Sequence, residues 1–184
     1  MRDRLADLLD AQRRYVAVLF GALISGSKPD RARVNATRGA ARLARSNAEA
    51  SVQRMLGEPA SHRSIDADAA VGVLATTRRH ALAALALQAR IEREANPPRP
   101  ELELLAKQID ETFRALAHAL RTGAPPRDLP FLRATQEALR TVTSSSIVNE
   151  TDVIVDSLNT IAAMLRKQEV ARVPSVFFPD EGPN

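Results

Sequence analysis

Apolar side chains recur three and four residues apart along most of this chain, and the recurrence stops only where glycine and proline gather. That spacing is the period of a helix buried along one face, so it constrains the fold more than any other feature. Leu5, Leu8, Leu9, Tyr15, Val16, Leu19 and Leu23 predict a first helix over 2–24, ended by Gly26. Ser27 and Asp30 read as a capping box around Pro29 and open a second helix, which runs to about Leu56 before Gly57 and Pro59. Glu58 to Ser64 reads as a loop. Ser64 or Asp66 then caps a third helix to about Glu94, with Asp66 and Asp68 at its positive dipole end. The run Ala81 to Leu87 is apolar on all sides, which predicts that helix three is the most buried.

A break at Asn96-Pro97-Pro98-Arg99-Pro100 precedes helix four, whose first residue is Pro100. Its stripe is Leu102, Leu105, Ile109, Leu116 and Leu120, and Gly123 ends it. Asp128 is expected to cap a shorter fifth helix through Leu132, Leu139 and Val142. Thr141 to Ser146 is poor helix material, because Thr, Val and Ser crowd or compete with the helical backbone. A sixth helix follows through Ile147, Ile154, Leu158, Ile161 and Leu165.

The expected fold is therefore all-α. It is a single-domain antiparallel bundle of five or six helices over 1–173, with helix three central and an irregular tail over 174–184. Aromatic content is 3%, so the core must come from Ala, Leu, Val and Ile. Seven glycines are too few for a β-sandwich. The chain has no cysteine, which excludes disulfides, thiolate metal sites and a cysteine nucleophile. A net charge of +4 neither demands nor excludes an anionic partner. The longest apolar run, Tyr15 to Ile24, is about half of the roughly 18 residues a membrane span needs. The N-terminus is too acidic for a secretory signal. The chain reads as soluble, and if it belongs to a membrane protein it is expected to be an excised piece whose Met1 is an added start.

Helix two carries the sharpest pattern. At about 100° per residue, Arg31, Arg38, Arg42 and Arg45 fall in one narrow arc, bordered by Asn35 and continued by Glu49. Val34, Ala41, Ala48 and Met55 repeat every seven residues on another face, beside Thr37, Ala44 and Ser51. Small residues on that seam allow a neighbouring helix to come close. The arginine arc is either a solvated face steadied by Glu49 or a docking surface for lipid headgroups or an acidic partner, since guanidinium grips phosphate and carboxylate with a fork of donors. The interleaved aromatics of single-strand nucleic-acid binders are missing, and no nucleic acid is expected.

Catalytic and cofactor chemistry finds no foothold. His62, His80 and His118 have no ligand-spaced partners, so no metal site is expected, and the serine run 144–146 has no nucleophile elbow around it. Asp66 and Asp68 lack the glycine and glutamate of a calcium loop. No phosphate-binding or dinucleotide fingerprint occurs, so no cofactor is expected. Phe177 and Phe178 are an apolar pair in the tail, expected either to pack back on the bundle or to contact another subunit.

The segment Arg45-Ser-Asn-Ala-Glu-Ala-Ser51, followed by Met55-Leu-Gly-Glu-Pro59, resembles the soluble region of the fusaric acid resistance (aromatic acid exporter) family of bacterial inner-membrane proteins. The likeness spans 38–59 and, more loosely, 30 to about 170. It implies a non-enzymatic domain on the cytoplasmic side of the inner membrane, with an assembly or regulatory role in efflux. The membrane-embedded part of a parent protein, and a second copy of the chain, are the partners it implies. No transport residue carries over, because the chain has no membrane span to hold one. Two alternatives remain open from the residues themselves. One is a small-molecule sensor in which Arg42 or Arg45 holds the carboxylate of an aromatic acid. The other is a free-standing helical adaptor.

Overall fold

The computed structural model describes residues 1–94, 97–143 and 145–170. Among them are six α-helices and no strand: α1 (Arg2–Ser25), α2 (Arg31–Leu56), α3 (Ala67–Arg93), α4 (Glu103–Thr122), α5 (Leu132–Ala138) and α6 (Ser145–Val170). Single 3₁₀ turns fill Ala60–His62, Pro100–Leu102 and Leu139–Thr141. The expected tail, with Phe177 and Phe178, lies outside the described residues, as does Ser144.

Side-chain pairs fix the directions of the helices. Arg121 reaches Asp7 and Asp10 while Arg13 reaches Asp110, so α1 and α4 run antiparallel. Arg90 meets Glu150, and Gly72 faces Met164, so α3 and α6 also run antiparallel. Arg2 lies at Ser64 and Tyr15 at Gln88, so α1 and α3 point the same way. α4 and α6 therefore run parallel to each other. The chain returns between them through 123–143, a segment that includes α5 and climbs along α6, with Arg133 at Asp152 and Asp156 and Gln136 at the Val148 carbonyl.

The central helix is α1, not α3. Twelve of its 24 residues are buried, against ten of 27 in α3 and five of 26 in α2. It packs on α2, α3 and α4 at once. The all-apolar run of α3 does not become the core because α3 commits one face to α6 and α1 and leaves Leu82 and Leu85 outside. The core is aliphatic, as composition requires. Tyr15, Phe20 and Phe113 are its largest fully buried side chains, set among leucines such as Leu5, Leu9 and Leu116. The seven-residue seam of α2 is buried at Val34, Ala41, Ala48 and Met55.

Helix ends follow local chemistry, with two corrections. Gly26 ends α1 at φ +67, and a Cβ there would lie 2.5 Å from the Pro98 nitrogen. The neighbouring Arg99 amide donates to the carbonyls of Leu23 and Ile24, both at 3.1 Å, stitching the proline break to the end of α1. Only a glycine meets both demands. The expected Ser27 capping box does not form. Asp30 is itself the N-cap, accepting from the Ala32 amide at 2.9 Å, while the Ser27 hydroxyl pairs with Ser25. Asp66, rather than Ser64, caps α3 through the Ala69 amide.

The second correction concerns α5. Asp128 sits at φ +51 and caps nothing; α5 begins only at Leu132, after Phe131. Pro130 disfavours helical backbone at the residue before it, which pushes the start past the proline. Val142 lies beyond the helix and is exposed.

Candidate functional site

α2 packs along α1 through its small-residue seam and touches α3 more sparsely. Between α2 and α3, over the surface of α1, lies an open groove of about 560 Å³. Volumes of roughly 300–1,000 Å³ are typical of small-molecule sites. Gln12 and Tyr15 of α1 lie at its base, each only 2% exposed. Ala81 and Leu85 of α3 line it opposite Gly39, Leu43 and three arginines of α2.

Those arginines are Arg38, Arg42 and Arg45, so the structure brings together three of the four that the sequence singles out. Arg31 stands apart, at a small recess with Lys28, Val34 and Glu92. Two helical turns separate it from Arg38. The arginine Nη2 of Arg38 donates to Asn35 Oδ1 at 3.2 Å, and Arg45 Nε lies 3.6 Å from Glu49 Oε1. Among the described residues, Arg42 has no hydrogen-bond or ion-pair partner.

The base of the groove is polar and ordered. Tyr15 Oη donates to Gln88 Oε1 at 2.5 Å, and Gln88 Nε2 donates to Glu92 Oε1 at 2.6 Å. The Tyr15 hydroxyl is pushed up to about 12, chiefly by burial, with the Arg38 charge opposing and the Glu92 charge adding. It stays a neutral donor at any physiological pH. Gln12 Oε1 is buried without a partner. A buried acceptor left unpaired costs about 1–3 kcal/mol, so a ligand donor at that point would be favoured. The groove thus joins cationic side chains, an apolar lining and a buried acceptor, which suits an anionic amphiphile.

Elsewhere the titratable groups serve packing. His80 is 2% exposed, packs edge-on against Phe113 with ring centroids 5.2 Å apart, and has neither ring nitrogen bonded. Burial lowers its pKa to about 4. His62 and His118 are exposed. Among the described residues no group of His, Cys, Asp or Glu side chains could hold a metal ion, and no helix is long and apolar enough to cross a membrane.

Sequence reasoning missed the burial of Gln12 and His80. Each occupies an apolar register position: Gln12 between Leu8 and Tyr15, and His80 in the series Val73, Thr77, Ala84, Leu87. A polar residue on a three-four stripe was the signal available. Comparison of the chain with protein-family models, with curated proteins and with solved structures finds no match.

Proposed function

We propose that this chain is a non-enzymatic domain at the cytoplasmic face of a bacterial inner-membrane protein of the exporter type. It assembles or regulates the membrane part by binding, with self-association as a further route. The observation that carries this reading is the state of α2. That helix holds six arginines and one glutamate, yet only Arg45 of the six has a carboxylate partner among the described residues. Arginines on other helices are commonly matched to carboxylates, as Arg13, Arg90, Arg114, Arg121 and Arg133 are. A helix this cationic and this thinly buried leaves a surface for something outside the bundle. The likeness of Arg45 to Pro59 to exporter-type soluble regions supplies the membrane context.

The test is fractionation of cells carrying a tag on the chromosomal gene. The tagged product is expected in the inner-membrane fraction and to resist a carbonate wash, as a product fused to membrane spans does. Recovery of the whole product in the soluble fraction would overturn the reading.

A further inference from the structure

We infer that the α2–α3 groove is a seat for the headgroup of an anionic phospholipid, and that this face of the bundle lies against a lipid bilayer. The inference goes beyond the exporter reading and does not need it, since it rests on the groove alone.

The groove is layered in the way a lipid headgroup is. Its outer edge carries exposed leucines, Leu43 on α2 at 64% and Leu85 on α3 at 41%. These are two of the eight exposed large hydrophobics among the described residues. Beside them Arg38, Arg42 and Arg45 line one wall. At the base, Gln12 Oε1 lacks a donor and Tyr15 keeps its proton on Gln88. An anionic phospholipid presents the matching order from membrane to protein: acyl chain, phosphodiester, then headgroup hydroxyl. Guanidinium binds phosphate with paired donors, and leucines beside it enter the acyl boundary.

Charge decides between occupants. α2 carries six arginines against one glutamate, so a second copy of α2 would be repelled and an anionic surface attracted. A bilayer rich in acidic lipid supplies that field, worth about 1 kcal/mol, or about fivefold in binding, for each arginine near the surface.

The experiment is flotation of the full chain with vesicles. The protein is expected to float with phosphatidylglycerol-containing vesicles, to stay down with pure phosphatidylcholine, and to release as salt rises. R38Q/R42Q/R45Q should weaken binding about a hundredfold, the product of three fivefold losses. R127Q/R166Q/K167Q removes the same charge from exposed positions off the groove and should change binding far less. L43S/L85S should lose binding while keeping its helical circular dichroism, since both side chains are exposed. Vesicles of phosphatidylmethanol have the same phosphodiester charge but no headgroup hydroxyl, and should bind less well than phosphatidylglycerol.

Failure to float on phosphatidylglycerol at low salt would overturn the inference. Equal losses from the two triple-charge variants would do so as well. So would thermal stabilisation by inorganic phosphate or a soluble organic acid without vesicle binding, which would make the groove a soluble-ligand site. Membrane recovery in cells by way of fused spans, together with failed flotation, would leave the exporter reading standing and remove this one.

Discussion

α4 and α2 flank the same central helix and are built on opposite terms. α4 buries eight of its 20 residues in one stripe, and its cations Lys107, Arg114 and Arg121 all face carboxylates. α2 is longer, buries five residues of 26, and keeps five of its six arginines without a carboxylate partner among the described residues. One helix gives a broad apolar stripe to the bundle and balances its own charges. The other is attached by a narrow seam of small side chains and leaves most of its circumference to its surroundings. Packing strength and chemical availability are thus divided between two neighbours of α1.

The contrast breaks most easily in the core. Leu116→Ala on α4 is expected to cost about 3–4 kcal/mol in urea unfolding, because it opens a cavity in close-packed surroundings. Leu43→Ala on α2 should stay within about 0.5 kcal/mol of the parent chain, as surface changes do. Equal losses would mean that α2 is not the lightly held helix described above.

Next comes pH. His80, on the densely packed side, has a folded pKa of about 4 against the ordinary 6.5. The unfolded chain therefore binds the proton first, and stability falls as pH drops from 6.5 towards 4, by about 3 kcal/mol in total. Unfolding curves across that range should show the slope, and His80→Leu should flatten it.

At the junction of α1 and α2, Gly26→Ala should cost about 1–2 kcal/mol, from a positive φ and a clash with Pro98, read as a lowered melting temperature. The smallest effect separates the two sets of arginines. Arg121→Gln should lose up to about 1 kcal/mol, whereas Arg42→Gln should be neutral or stabilising by a few tenths, because it relieves like charges on α2. Matched thermal melts at low salt would distinguish them.

Much of this arrangement was written locally. Gly26 and Gly123, the proline break before α4, and the stripes of α4 and α6 mark where helices stop and which sides they bury. The seam and the arginine arc of α2 also follow from a helical wheel. What escaped depends on neighbours far along the chain. The run Ala81 to Leu87 says that any face of α3 can be buried, not which one is, so the central place of α1 was hidden. The arginine wall was legible; the opposite wall at Ala81 and Leu85, and the unpaired Gln12 beneath, appear only once α3 stands off from α2. The late start of α5 was decided by Pro130, a backbone restriction that outweighed the capping preference of Asp128.

The return of the chain through 123–143 has a geometric outcome. Because α6 ends beside the beginning of α3, with Met164 against Gly72, and Arg2 also lies there at Ser64, Met1 and Val170 share one pole. The start of α1, the start of α3 and the ends of α2, α4 and α6 are gathered there. The far pole is the junction at Gly26 and Pro98, and the arginine-lined flank of α2 runs between the two.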